Sequence, residues 1–288
     1  MEERQSMNER NEKDAFQHIL VALDASRHSL AALKAAVELA ASLEAELQAL
    51  FVEDINLLQV ANSPMAQEIC YPFSNVTPLN PRRMERQLRA QATQARQSLA
   101  DACDPQQIKW SFRVVRGEVA SEVLAAATEA DLLSLGTTSR PLIRRVRLGS
   151  TARAAAAQSP SSVLLLQHNV AIKPPVVVTY DGSSTAQRAL RIAARLAQRQ
   201  GGYLVALLVA DDPNATQQWQ AQISDFLREM EIMLLVHYRQ LVNVKVKRRV
   251  HKIQSEESGT LVLSNTILDP EALQMLLDQA GYPVLLVR

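Results

Sequence analysis

Two stretches of the chain decide its fold, residues 18–24 (HILVALD) and residues 176–181 (VVVTYD). Each is a short apolar run that ends in aspartate, and each is followed by a helical pattern and a second apolar run. The two copies align without a gap at an offset of 157 positions, and 12 of the 31 positions from Asp24 to Asp54 are identical. The identities include Asp-x-Ser after the first run and apolar residues at helical spacing. We interpret this similarity as an internal duplication.

Strand patterns and helix patterns alternate in both copies, and each predicted strand is a nearly continuous apolar run. Such strands are typical of a parallel sheet that is covered by helices on both faces. Right-handed crossover connections would then add strands on both sides of the first strand of each copy, which is the doubly wound arrangement. We therefore predict an α/β fold of two tandem, doubly wound, parallel five-stranded sheets. The predicted boundaries are a mobile N-terminal segment at 1–15, a first domain at 16–168, a linker at 169–175 and a second domain at 176–288.

The predicted secondary structure of the two copies differs in two regions. Residues 55–80 of the first copy are predicted to form a long irregular connection. That connection could be a lid over a ligand, an apolar surface for a partner, or a loop that covers the core. In the second copy the pattern predicts one long helix over 215–241, followed by a charged edge strand at 243–250.

Composition excludes several classes of protein. The 288 residues carry 31 Lys and Arg against 30 Asp and Glu, a formal charge of +1, which gives no reason to expect nucleic acid as a partner. No apolar run approaches the ~18 residues of a membrane-spanning helix, so no membrane insertion is expected. The N-terminus has no apolar signal region, and the two cysteines suit a reducing compartment. We expect a cytoplasmic protein.

Common catalytic and metal-binding motifs are missing from the sequence. The five histidines show no ligand spacing with one another or with cysteine, so no metal site is predicted. The chain has no G-x-x-x-x-G-K-[ST], no G-x-G-x-x-G and no G-x-S-x-G. We therefore predict no catalytic residue.

The segment after the fourth predicted strand of the first copy reads LGTTSRPLIRRVRLGSTARA, residues 135–154. Its spacing is Gly136, two residues, Ser139, nine residues, then Gly149 and Ser150. This pattern resembles the universal stress protein family, which carries Gly-x2-Gly-x9-Gly-Ser/Thr here and an Asp after its first strand. The resemblance covers both copies and implies the adenine nucleotide alpha hydrolase-like fold. Ser139 departs from the family pattern, because the family has glycine at this position.

The resemblance implies that the first copy binds ATP with Mg²⁺, or a related adenine nucleotide. The chemistry of the residues agrees, since a glycine at a strand end lets a phosphate approach and a Gly-Ser helix start offers free amides. Asp24 would accept hydrogen bonds from a ribose. Ordinary structural roles remain open for each of them, because glycines punctuate strands and helices and Asp24 could cap a helix. The implied nucleotide-binding residues are Ala22, Asp24, Val52, Leu135, Gly136, Ser139, Arg140, Gly149, Ser150 and Thr151.

The second copy keeps Asp181 and Gly182 but lacks the glycine loop. We expect it to be a structural partner of the first copy, in a pseudo-dimer within one chain or in a homodimer. The function implied is stress-response regulation with at most slow ATP hydrolysis. Two alternatives stay open: a nucleotide-independent scaffold that acts on an unknown protein partner, and a carrier of an apolar ligand.

Overall fold

The computed structural model describes residues 16–24, 26–63, 66–70, 75–137, 148–167, 170–210, 212–242, 253 and 259–288. The predictions made for residues 1–15, for the strand 243–250, and for Ser139 and Arg140 lie outside the described residues.

The N-terminal half alternates strands and helices as the sequence predicts. Its strands are β1 (His18–Ala22), β2 (Glu46–Asp54), β3 (Gln67–Cys70), β4 (Asn75–Pro78), β5 (Trp110–Gly117), β6 (Leu132–Gly136) and β7 (Ser162–Leu166). Its helices are α1 (Arg27–Leu43), α2 (Ile55–Ala61), α3 (Pro81–Cys103), α4 (Val119–Ala127) and α5 (Ser150–Gln158).

The C-terminal half repeats this order with fewer elements among the described residues. Its strands are β8 (Val176–Tyr180), β9 (Leu204–Ala210), β10 (Val236–Val242), β11 (Thr260–Ser264) and β12 (Val284–Val287). Its helices are α6 (Ser184–Arg199), α7 (Pro213–Glu229) and α8 (Pro270–Gln279).

The strands of both halves form one ten-stranded sheet in the order β10-β9-β8-β11-β12-β7-β6-β1-β2-β5. Neighbouring strands are parallel within each half, which confirms the α/β fold with five parallel strands per copy. The halves meet where β12 pairs with β7 in antiparallel register, Leu285 opposite Leu164. This joint places the two copies in the pseudo-symmetric arrangement expected from the duplication.

The sheet forms because its central strands are apolar on both faces. All residues of β7, β8 and β12 are buried, and clusters of apolar side chains cover the two faces of the sheet. The duplicated Asp-x-Ser also has a duplicated structural role. Ser26 caps α1 by accepting a hydrogen bond from the Ser29 amide, and Ser183 caps α6 by accepting one from the Ala186 amide.

The prediction of one helix over 215–241 is wrong. Helix α7 ends at Glu229, Glu231 takes a left-handed backbone with φ of 55°, and the chain then forms the edge strand β10. Val236 and Tyr238 pack on one face of the sheet, whereas Leu241 is buried on the other. This period of two is the pattern of a strand, and the helical pattern before it obscured the change.

The connection at 55–80 is more ordered than predicted. Asp54 caps α2, since its carboxylate accepts a hydrogen bond from the Asn56 amide at 2.9 Å. Further along, β3 and β4 form a two-stranded antiparallel hairpin. Helix α2 has only seven residues, which is too short for a clear helical period in the sequence.

Candidate functional site

A cavity of about 420 Å³ opens at the carboxyl ends of β1, β2 and β6. Strand β1 lies between β2 and β6, so the winding of the chain reverses at this point of the sheet. In doubly wound folds ligands bind at such a reversal. Helices α3 and α4 complete the wall with Leu88, Gln91, Val119 and Val123.

The structure brings eight of the ten predicted site residues together around this cavity. They are Ala22, Asp24, Val52, Leu135, Gly136, Gly149, Ser150 and Thr151. Ser139 and Arg140 are the two that fall outside the described residues. The structure shows that these positions share one cavity, and their assignment to a nucleotide stays a prediction.

Asp24 stands at the rim with its carboxylate largely exposed. Its Oδ1 accepts a hydrogen bond from the Ser26 amide at 2.9 Å, while Ser26 and not Asp24 caps α1. Among the described residues, no donor occupies its Oδ2. This carboxylate can therefore accept hydrogen bonds from a ligand in the cavity.

Helix α5 begins at the opposite side of the same rim. Its N-cap is Gly149, which supplies no side-chain hydrogen bond to the first turn. Each of the other α-helices whose cap is described has a side chain that accepts a hydrogen bond from its first turn, from Ser26, Asp54, Asn80, Glu118, Ser183, Asp212 or Asp269. The first amides of α5 and the positive end of its dipole thus face the cavity without a protein acceptor from the cap residue.

Packing by itself requires a glycine at position 136. A Cβ at this position would lie 2.4 Å from the backbone oxygen of His28 at the start of α1. The expectation that its missing Cβ also makes room for a phosphate stays a prediction. The glycine lets β6 and α1 approach each other.

Comparison with known proteins assigns the chain to a family. A model of the universal stress protein family matches residues 15–167 and again residues 174–261. The chain belongs to the universal stress protein family. The two matches follow the two copies of the duplication, and they confirm the resemblance seen in the loop at 135–154.

Solved structures agree on the fold of this universal stress protein. One from Archaeoglobus fulgidus, also a universal stress protein, is 17% identical with a TM-score of 0.66, over 93% of this chain and 97% of that one. A putative universal stress protein from Pseudomonas aeruginosa is 13% identical with a TM-score of 0.58, over 95% and 93%. The cytoplasmic domain of a prokaryotic cation chloride cotransporter is 12% identical with a TM-score of 0.54, over 94% and 95%.

No curated protein matches the chain. Similarity at these low identities shows the fold alone, and one of the similar structures is described as part of a transporter. The function of a universal stress protein therefore depends on the residues of its own site and not on the fold.

In the second half of the universal stress protein, the residue that corresponds to Asp24 is Asp181, and its carboxylate is hydrogen-bonded to other side chains of that half. The carboxylate of Asp181 accepts hydrogen bonds from the Ser183 amide at 3.0 Å and the Ser183 hydroxyl at 2.6 Å, and its second oxygen accepts one from the Thr266 hydroxyl at 2.8 Å. The Trp219 ring covers Gly182, with Nε1 2.7 Å from where a Cβ would stand. Both carboxylate oxygens of Asp181 are thus hydrogen-bonded within this half, whereas Oδ2 of Asp24 has no donor among the described residues.

The N-terminus of α8, the helix that follows β11, is capped by a side chain of the protein. Asp269 caps α8, and its Oδ1 accepts a hydrogen bond from the Ala272 amide at 2.8 Å. A carboxylate thus lies where an anionic ligand would bind, at the N-terminus that corresponds to that of α5. The two halves share a fold, but their corresponding helix N-termini differ, since α8 has a carboxylate cap and α5 has none.

The described part of this universal stress protein shows neither a metal-ion site nor a membrane-spanning helix. Within the described residues, no three His, Cys, Asp or Glu side chains are grouped so that they could hold a metal ion. None of the helices in the described part of the chain is both long enough and apolar enough to cross a membrane.

The sequence did not point to Gln91 or Leu88 as part of the cavity wall. Both belong to α3, whose position over the strand ends follows from the docking of a whole helix on the sheet. The helical spacing of Leu88, Ala92, Ala95 and Leu99 marks the buried face of α3 and was the available signal.

Proposed function

We propose that the cavity of the N-terminal half binds ATP or a related adenine nucleotide, and that this binding regulates a cytoplasmic stress response. The C-terminal half would act as a structural partner without a site of its own. The observation that carries the proposal is a pairing across one cavity: Oδ2 of Asp24 has no donor in the described part of the chain, and helix α5 has no side-chain cap at its N-terminus. In the other half of the same chain the matching groups are satisfied internally.

The cavity suits a nucleotide in size and lining. Its volume of about 420 Å³ falls in the range of roughly 300–1,000 Å³ that is usual for small-ligand pockets. The strand ends contribute apolar side chains, including Leu50, Val52 and Leu135, on which a base could pack. The rim contributes Asp24 as an acceptor for ribose hydroxyls and the first amides of α5 as donors for phosphate oxygens.

Mg²⁺ would enter as part of the nucleotide complex. This ion keeps several waters and is usually held by substrate phosphates with one or two carboxylates. The rim offers the open oxygen of Asp24, but the described residues hold no preformed group of three metal ligands. We therefore propose ATP–Mg²⁺ as the ligand, a binding role without efficient catalysis, and at most slow hydrolysis.

A second candidate function is a scaffold that contacts a protein partner without nucleotide. Helix α2 favours it, because Ile55, Leu57 and Val60 are 37%, 45% and 55% exposed. Exposed apolar side chains of this kind can bind a partner. The scaffold predicts no response of the protein to ATP, so one experiment separates the two functions.

Binding of ATP–Mg²⁺ should raise the thermal stability of the full chain. A ligand that binds only the folded state at 100 times its Kd adds about 2.7 kcal/mol. Asp24→Asn should weaken binding by roughly 10- to 100-fold, since a hydrogen bond to a charged acceptor contributes about 1.5–3 kcal/mol. Calorimetric titration and thermal unfolding with and without ATP–Mg²⁺ measure both effects.

Asp181→Asn is the matched control for that experiment. Asp181 occupies the same position in the second copy, but its carboxylate is already taken by Ser183 and Thr266. This variant should lose some stability and keep the affinity of the unchanged chain for ATP. Absence of any ATP-dependent shift in the unchanged chain would refute the nucleotide proposal and favour the scaffold.

A further inference from the structure

Helix α5 is held at its C-terminal end by a residue of the other half. The guanidinium of Arg288 donates hydrogen bonds from Nη1 to the Ser159 carbonyl and from Nη2 to the Ala156 carbonyl. These carbonyls belong to the last turn and the C-cap of α5, where backbone acceptors lack helical partners. A cation at this end also interacts favourably with the negative end of the helix dipole.

Arg288 is itself fixed by several contacts. Its amide donates a hydrogen bond to the Ser162 hydroxyl at 3.2 Å, and its carbonyl accepts one from Arg188 Nη1 at 2.8 Å. The Arg188 guanidinium lies 5.3 Å from the centre of the Phe16 ring of the N-terminal half. The Nε of Arg288 is buried with no hydrogen-bond partner among the described residues, so the two bonds to α5 hold most of this guanidinium.

The N-terminal end of α5 is held by the same half. The amide of Leu148, one residue before the N-cap Gly149, donates a hydrogen bond to Asp278 Oδ1 at 3.4 Å. Asp278 lies on α8 and is positioned by a hydrogen bond from Gln274 Nε2 at 2.9 Å. The Leu148 side chain is 5% exposed, within the apolar cluster that includes Leu277 of α8.

These contacts determine where α5 points. A helix of nine residues is marginal alone, so its position and its first turn depend on tertiary contacts. Residues of the C-terminal half meet it at both ends, and its first amides lie at the rim of the cavity. A shift of α5 would move those amides away from a bound phosphate.

We propose that the C-terminal half positions α5 from both ends, through Asp278 and Arg288, and thereby sets the affinity of the N-terminal cavity for the phosphates of a nucleotide. This inference rests on the proposed nucleotide binding and gives the closed half a specific role in it. Asp278 and Arg288 are positioning residues, since neither lines the cavity.

The test compares ATP–Mg²⁺ with adenosine on the full chain. Arg288→Ala and Asp278→Ala should each lower the affinity for ATP–Mg²⁺ by roughly 3- to 10-fold. The affinity for adenosine should change less than about twofold, because adenosine has no phosphate to meet α5. Arg228→Ala and Asp225→Ala are matched controls, since these two residues pair with each other on the exposed face of α7. They should leave both affinities unchanged.

Hydrogen exchange supplies a second measurement that needs no ligand. Amides of α5 should exchange faster in the Asp278 and Arg288 variants than in the unchanged chain, while those of α4 stay the same. If an alanine variant fails to fold, Arg288→Lys and Asp278→Asn replace it. Arg288→Lys keeps the cation without the two-pronged contact and should give an intermediate loss.

The outcomes separate this inference from the proposed function. If the unchanged chain does not bind ATP, the nucleotide function and its control by α5 are both refuted. Faster exchange of the α5 amides in the variants would then support only the claim that the C-terminal half positions α5. Equal losses for ATP and adenosine would overturn the inference, because they would indicate general destabilisation. Unchanged affinities together with unchanged exchange would overturn it as well.

Discussion

Gly136→Ala should destabilise the protein by about 3 kcal/mol and weaken nucleotide binding at least tenfold. The new Cβ would lie 2.4 Å from the backbone oxygen of His28 and 2.5 Å from its carbonyl carbon. Backbone atoms cannot rotate away as a side chain can, so α1 or β6 must move by about 1 Å to restore van der Waals distance. Ser134 shows how closely they pack, since its buried hydroxyl donates a hydrogen bond to the Ala32 carbonyl at 3.1 Å.

The effect on binding follows from the place of this contact. Helix α1 begins at Arg27, three residues after Asp24, and β6 ends beside it at Gly136. Separating the two would widen the rim and displace the carboxylate relative to α5. Thermal unfolding should show a midpoint lower by roughly 5–10 °C, and calorimetry should show the weaker binding of ATP–Mg²⁺.

Gly281→Ala is the control for this substitution. No atom lies within 4 Å of a Cβ built on Gly281, so an added methyl group should fit without strain. Its stability should stay within about 1 kcal/mol of the unchanged chain. If Gly136→Ala behaved in the same way, the close approach of β6 and α1 would not be the reason for this glycine.

The fold was predictable because its signals are local. Continuous apolar runs mark β1 and β8, and Asp-x-Ser after each run marks the start of α1 and α6. The misassigned helix over 215–241 shows the limit of this approach. The apolar residues change from helical to alternating spacing over the few residues 230–236, which is too short a stretch to recognise in the sequence. The pairing of β10 with β9 shows that the residues after it form a strand.

The cavity was predictable in its strand ends but less so in its helices. Asp24, Val52 and Gly136 follow directly from the ends of β1, β2 and β6, as the rule for doubly wound sheets requires. The roles of Asp278 and Arg288 had no local signal, since their partners at the two ends of α5 lie about 130 positions away in the chain. Such contacts depend on how the two halves dock through β7 and β12.

Replacing Gly149, the N-cap of α5, by aspartate, the residue type that caps α8, should block the anion site proposed at the N-terminus of α5. Gly149 has φ of −59° and ψ of 159°, and Asp269 has φ of −67° and ψ of 164°, so Gly149→Asp fits the existing backbone. The new carboxylate should accept a hydrogen bond from the first turn of α5, as Asp269 does from the Ala272 amide. Stability should rise by up to about 1 kcal/mol, because a cap and a favourable charge are added to a helix that lacks both.

Binding should change in the opposite direction. A carboxylate about 4 Å from a phosphate charge costs roughly 4 kcal/mol at the effective dielectric constant of a protein surface, so the affinity for ATP–Mg²⁺ should fall at least 100-fold. Gly149→Asn is the neutral control, which offers the same cap without the charge and should lose about tenfold or less. Calorimetric titration of both variants gives the two affinities, and thermal unfolding gives the stabilities. Opposite signs for stability and affinity would distinguish loss of an anion site from damage to the fold, whereas full ATP binding by Gly149→Asp would show that the phosphates do not reach α5.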